Sequence, residues 1–230
     1  MSGAMTRDAV RARIVDVGIV PSVRTSSAED ARFAAETVAD AGIPIVEITM
    51  TVPHALDVIG DLARRMPDLV VGAGTVFDLK TARLCVEAGA RFITSPGLDL
   101  TIVEFALSHD ILAVPGALTP TEVTAAWLAS ADIIKIFPSA HVGGASYIHA
   151  LKAPFPDVLF MAAGGVNQQT AAEFIGAGAV AIGVGAELVP KQAVQQRDAH
   201  WITELTRRFL NIIQEAREHM AGRNERVGRR

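Results

Sequence analysis

The sequence has one cysteine, Cys85, in 230 residues. That excludes an intrachain disulfide framework and a cysteine-rich metal centre. Aromatic residues are scarce, at 5% of the chain with a single tyrosine. Positive charge is not in excess: 21 Lys and Arg against 25 Asp and Glu leave −4, with a pI near 5.9. Nothing in that balance favours nucleic acid or a membrane surface as a partner. No apolar run reaches the roughly 20 residues of a membrane span. Residues Met1 to Arg13 also lack the apolar centre of a secretion signal. The six histidines form no ligand-spaced cluster, so no metal is expected. These absences lead to the expectation of a soluble, cytoplasmic protein that acts on a small molecule. Half of the chain is apolar and 19 residues are glycine, enough for one large core with tight strand-to-helix turns.

Short apolar runs alternate with helical patterns along the chain. Strands are expected at 18–24, 44–49, 68–72, 91–95, 111–114, 132–138, 158–162 and 179–182. Helix signals fall between them: N-caps near Ser26, Asp78, Asp99 and Thr119 or Thr121, a proline-led start at Thr51-Val52-Pro53, and a stop at Gly89. Strands alternating with helices imply crossover connections and a parallel sheet. Eight such units in about 200 residues fit the lower size range of a closed barrel. Glycine or proline follows nearly every strand, and no Gly-x-Gly-x-x-Gly fingerprint follows the first, so an open dinucleotide-binding sheet is the weaker alternative. The expected fold is α/β, a single (β/α)8 TIM barrel. It carries an extra N-terminal helix at 5–16 and a long C-terminal helix at 197–220. The domain spans 1–222, and the basic residues 223–230 form a frayed tail.

The stretch Asp132-Ile-Ile-Lys-Ile-Phe-Pro138 holds a lysine inside an otherwise apolar strand. Period-two geometry puts Ile133, Lys135 and Phe137 on one face, and Ile45, Glu47 and Thr49 on one face of the second strand. The wholly apolar opposite faces belong against the helices, so Lys135 and Glu47 point into the barrel. Such a pair can remain a structural ion pair. Alternatively, a lysine shielded from water can supply a neutral amine that attacks a carbonyl, beside a carboxylate that moves protons. Arg24 ends the first strand, where it is either a surface residue or a grip on an anion. The loops Gly164-Gly165 and Gly183-Val-Gly185 follow the last two strands, where barrels present backbone amides to phosphate.

Six motifs occur in order: Val46-Glu-Ile-Thr49, Val71-Gly-Ala-Gly-Thr75, Ile93-Thr-Ser-Pro-Gly97, Val114-Pro-Gly116, Ile134-Lys-Ile-Phe-Pro138 and Gly164-Gly-Val166. Over about residues 14–190 the chain resembles the 2-keto-3-deoxy-6-phosphogluconate and 4-hydroxy-2-oxoglutarate aldolase family, with its phosphogalactonate-aldolase relatives. The resemblance implies a class I aldolase, commonly a homotrimer, that needs no cofactor or metal. It implies Lys135 as the Schiff-base lysine and Glu47 as the general acid/base. By the same resemblance Thr75 and the Pro96 carbonyl line a pyruvate site. Arg24 matches an arginine of the phosphogalactonate branch, and Gly164, Gly165, Gly185 and Ala186 fall at phosphate-loop positions.

The chain departs from the pattern at three places. Thr51 stands where several phosphogluconate aldolases carry an arginine, Ala163 precedes the Gly-Gly pair in place of a polar residue, and Ala186 replaces a serine. Substrate preference is therefore expected to differ, toward an unphosphorylated or differently sized 2-oxo acid. Two other functions fit a barrel with late glycine loops: a phosphosugar isomerase or epimerase, and a barrel that binds a metabolite without catalysis. The first gives Lys135 no covalent role. The second follows from the three polar losses.

Overall fold

The computed structural model describes residues 5–227. Ten helices and nine short strands are present among them. The strands are β1 (Ile19–Val23), β2 (Ile45–Thr49), β3 (Val70–Gly74), β4 (Phe92–Thr94), β5 (Leu112–Val114), β6 (Gly116–Ala117), β7 (Ile134–Ile136), β8 (Phe160–Ala163) and β9 (Ala179–Val184). The helices are α1 (Arg7–Val17), α2 (Ala28–Asp40), α3 (Ala55–Arg65), α4 (Leu79–Ala88) and α5 (Leu100–Ser108). They continue as α6 (Pro120–Leu128), α7 (Ala145–Lys152), α8 (Ala171–Gly176), α9 (Lys191–Gln195) and α10 (Ala199–Val227).

All strand pairs are parallel, in the order β5-β4-β3-β2-β1-β9-β8-β7-β6. One end of that order, β5, is the strand expected at 111–114; the other, β6, takes up the same run just past Pro115, where only a turn was expected. Pro115 interrupts the run because a proline has no N–H to give the ladder. The Pro115 carbonyl still accepts the Lys135 N–H at 2.9 Å, so the ring closes through β5 and β6 and the eightfold barrel stands. Its strands are buried on both faces, which explains their near-continuous apolar sequence.

Caps fix most helix starts. The side chains of Ser27, Asp78, Asp99 and Thr119 each accept a backbone N–H from the first turn of α2, α4, α5 and α6. Thr119 and Glu122 form a reciprocal capping box. Helix α3 starts later than the Pro53 signal suggests, because His54 takes a left-handed conformation (φ 56°) ahead of Ala55. Helix α8 starts four residues after Asn167, whose carboxamide oxygen accepts the N–H groups of Gln169 and Thr170 in a turn of its own. Two elements carry no expectation from the pattern: a 3-10 turn at Ser139–Val142 and the five-residue α9. The last helix continues to Val227, past the expected stop near Met220, while residues 228–230 lie outside the described residues.

Helix α1 lies at the N-terminal ends of the strands. Arg7 and Arg11 reach the buried Asp132 ahead of β7 at 3.5 and 3.6 Å, and Arg13 donates to the Asp68 carbonyl ahead of β3. Burial pushes the Asp132 carboxyl above its ordinary range, opposed mainly by the charge of Arg7. From α10, Arg217 donates to the carbonyls of Val15 and Asp16 at the end of α1. That end of the barrel is thereby stoppered, and the opening is left at the other end. Cys85 is free and buried, its thiol pushed up to about 12 by burial.

Candidate active site

The site starts from one pleat. Parallel pairing puts Ser22 of β1 opposite Glu47 of β2, and Glu47 opposite Gly72 of β3. The Ser22 hydroxyl therefore lies beside the carboxylate and donates to Oε1 at 2.9 Å. Oε2 receives the Thr94 hydroxyl at 2.6 Å, although Thr94 is two strands away on β4. Gly74 makes that reach possible: a Cβ there would lie 2.1 Å from Glu47 Oε1. The missing side chain opens a passage over β3, through which Glu47 crosses to β4. Two donated hydroxyls satisfy a carboxylate that is only 2% exposed, as a buried charge requires.

Lys135 enters the same space from β7. Its backbone sits opposite Gly116 on one side and Met161 on the other. Its Nζ is 4.0 Å from Glu47 Oε2 and 5.5 Å from the centre of the Phe137 ring. The lysine is 8% exposed. The strand phase is as expected, since Lys135, Phe137 and Glu47 all face one cavity. The arrangement places a primary amine and a hydrogen-bonded carboxylate side by side at the floor of a pocket. An amine there can add to a carbonyl, and the adjacent carboxylate can take and return the protons.

The cavity is about 610 Å³ and opens at the C-terminal ends of the strands, where barrels of this kind build their sites. Every expected site residue lines it: Arg24, Glu47, Thr75, Pro96, Lys135, Gly164, Gly165, Gly185 and Ala186. Thr75 is the strained member, a β-branched residue at φ 62°. Such a conformation costs on the order of 1–3 kcal/mol and clusters at functional sites. Flanking bonds hold it in place, from Met50 N to Gly74 O and from Val76 N to Thr94 O. Its hydroxyl accepts a long bond, 3.5 Å, from the Arg24 guanidinium. Pro96 approaches closely because Gly116 opposes it; a Cβ at 116 would meet the Pro96 carbonyl oxygen at 2.3 Å.

Gly164 and Gly165 both have positive φ, 86° and 80°, which a residue with a side chain rarely adopts. Of the three departures, Ala163 and Ala186 line the cavity and Thr51 does not. The Thr51 hydroxyl instead hydrogen-bonds the Thr49 hydroxyl at 2.8 Å. Five further lining residues carry no signal in the one-dimensional pattern: Ser22, Phe77, Glu187, Val189 and Lys191. A larger hollow of about 740 Å³ lies between α2, α3 and α4. It is an open outer groove whose Arg32, Arg64 and Asp61 are already tied to one another, so the chemistry is placed in the barrel.

A closed parallel barrel with an amine and a carboxylate meeting in a cavity at its mouth has the frame of a barrel enzyme. Sequence comparison narrows it. The family model of KDPG and KHG aldolases matches residues 10–205, and the chain belongs to that family. It is 31% identical over 201 residues to the 2-dehydro-3-deoxy-phosphogluconate aldolase of Pseudomonas aeruginosa, covering 87% of this chain and 91% of that one. Among solved structures it is similar to a KDPG aldolase from Legionella pneumophila that holds pyruvate as a covalent carbinolamine. That match has a TM-score of 0.79 and 30% identity, over 85% of this chain and 95% of the other. It is also similar to a cube-shaped cage designed by fusing symmetric oligomeric domains. There the TM-score is 0.83 with 28% identity, over 92% of this chain and 77% of that one. The described residues contain no cluster suited to a metal ion, and no described helix is long and apolar enough to cross a membrane.

Proposed function

We propose that Lys135 is the Schiff-base nucleophile of a class I aldolase and Glu47 its proton shuttle. The supporting observation is the 4.0 Å approach of Nζ to Oε2 at the floor of the cavity. The neutral amine adds to the C2 ketone of a 2-oxo acid, giving a carbinolamine. Glu47, which has taken the proton that Lys135 sheds on becoming the neutral amine, protonates the departing hydroxyl, and water leaves to give the iminium. The iminium then draws in the electron pair of the C3–C4 bond, while the C4 hydroxyl gives its proton to the Glu47 carboxylate and becomes the aldehyde. Glu47 returns that proton to C3 of the remaining enamine, and water releases pyruvate and restores the amine. Each positioned proton transfer contributes roughly 10²–10⁴ in rate. The carbinolamine in the Legionella relative is the adduct this sequence requires.

In this reading Thr75 and the Pro96 carbonyl border the pyruvate half. Arg24 takes an anionic group of the substrate, and the Gly164, Gly165, Gly185 and Ala186 loops border the distal half. The cleaved compounds are 2-oxo-3-deoxy sugar acids or 4-hydroxy-2-oxo acids, phosphorylated or not, and the location is cytoplasmic. A homotrimer is supported by apolar side chains left exposed on the helices of consecutive units: Leu84, Leu100, Trp127 and Leu128, the last at 74% exposure.

The test is borohydride reduction in the presence of pyruvate, with peptide mapping. Wild-type protein should acquire a reduced pyruvyl group on Lys135, and Lys135→Ala should acquire none. A wild type without the adduct would refute the reading and leave an isomerase-type or binding barrel. An adduct without turnover of any hydroxy-oxo acid would leave the binding barrel.

A further inference from the structure

The catalytic cavity does not end at the glycine loops. Arg24, Val189 and Lys191 line it and also line a second cavity of about 280 Å³. The annex is walled by the loop after β1, including Thr25 and Ser26, by Asp30 of α2, and by α9, including Gln195. The sheet order β8-β9-β1 makes these loops neighbours on one side of the barrel mouth. Lys191 belongs to the chain that follows the Gly185-Ala186 loop, and Arg24 to the chain that follows β1. Two cations thus flank the passage from one cavity to the other. Neither has an ion-pair partner among the described residues, for Asp30 is taken by Arg197 at 3.3 Å and Glu47 faces Lys135. Glu187 also lines the catalytic cavity. Its charge offsets one of the two, and Glu47 matches Lys135, so one positive charge is left over at the passage for an anionic ligand. Ala186 offers no hydroxyl at the end of β9, so the loop itself has only backbone amides for an anion.

We propose that Lys191, acting with Arg24, holds a terminal anion on the aldehyde half of the substrate at the passage between the two cavities. Lys191 is then a specificity-determining residue that supplies, five positions later, the binding that Ala186 lacks. The annex beyond it leaves room for a chain longer than three carbons to carry its anion past the glycine loops. The chemistry recognised is a phosphate monoester or a carboxylate at the far end of a hydroxy-aldehyde.

This inference rests on the aldolase reading, and the two fail separately. Aldol addition to pyruvate is measured with glyceraldehyde 3-phosphate, with succinic semialdehyde as the carboxylate arm, and with glyceraldehyde as the neutral arm. The readout is the ratio of kcat/KM for each anionic aldehyde to that for the neutral one. Lys191→Ala should lower the ratio roughly 10- to 100-fold, the worth of one charge-assisted bond, mainly through KM. Lys191→Arg should restore most of it, and rising salt should shrink the wild-type ratio toward that of Lys191→Ala. The anionic arm that loses more identifies phosphate or carboxylate as the natural end group. A ratio unchanged within twofold, or a loss shared equally by the neutral aldehyde, overturns the proposal. If pyruvate is still trapped on Lys135 in that variant, only the Lys191 inference falls. Absence of trapping in wild type removes the aldolase reading instead.

Discussion

Replacing Thr94 with valine keeps the branched shape of a fully buried side chain and deletes one O–H. The lost hydrogen is the one donated at 2.6 Å to Glu47 Oε2, the oxygen that lies 4.0 Å from Lys135 Nζ. A hydrogen bond to a charged group contributes about 1.5–3 kcal/mol net, or about 10- to 150-fold in rate if the loss is felt at the transition state. Without it the carboxylate is free to rotate away from the reacting nitrogen, and kcat should fall by at least about tenfold. Ser22→Ala removes the other donor, at 2.9 Å on Oε1, which is the oxygen away from the lysine. Its cost should be several-fold smaller. Pyruvate release coupled to lactate dehydrogenase measures both, with borohydride trapping in parallel. Trapping should persist in both variants because the amine is untouched. A Thr94→Val enzyme with kcat within twofold of wild type, or a Ser22→Ala enzyme that is the slower of the two, would refute this account of how Glu47 is oriented.

Gly74→Ala should be worse than either, because its Cβ would overlap the Glu47 carboxyl at 2.1 Å; we expect kcat to drop by more than 100-fold, on the order of 3 kcal/mol, with a thermal melt separating this from unfolding. The pH dependence of stability should carry a contribution from Glu122, whose carboxyl is held below its ordinary range by the backbone N–H groups of Leu118 and then Thr119. Its folded-state pKa lies below the unfolded one, so the stabilisation is present above the ordinary value of 4.5 and is lost as the pH falls through the lowered value. Glu122→Gln should therefore be less stable than wild type by about 1 kcal/mol at pH 7, with the gap closing in urea titrations as the pH is taken below the ordinary value of 4.5.

The barrel and its two central charges could be read from the chain because period-two phase is a local property. Lys135 and Glu47 each stand on a face whose opposite is wholly apolar, so no partner strand need be known. The hydroxyls that hold Glu47 could not be read that way. Ser22 and Thr94 are ordinary strand residues until cross-strand register places both against one carboxylate, and Gly74 matters only because a side chain from β2 passes over it. The third strand was expected at 68–72 and lies at 70–74, which hid that role. Phe77 belongs to the loop after β3 and Lys191 opens the five-residue α9 after β9, segments whose paths no hydrophobic period encodes. Pro115 was legible as a stop, but not as a break inside one strand, since only the ladder on either side shows that the sheet carries on past it.

The lysine is mounted on backbone that has no play. Its N–H is bonded to Pro115 and its strand is paired on both edges within a closed ring, so only the torsions of its own side chain stand between a fixed frame and the reacting nitrogen. An imine formed there is moored at one place, whatever compound delivered the carbonyl. Longer or shorter molecules must then take up their differences at the free end, among the loops after β8, β9 and β1. Such a layout divides the labour of change: new preferences can arise at the rim by single substitutions while the bond-making centre stays as it is.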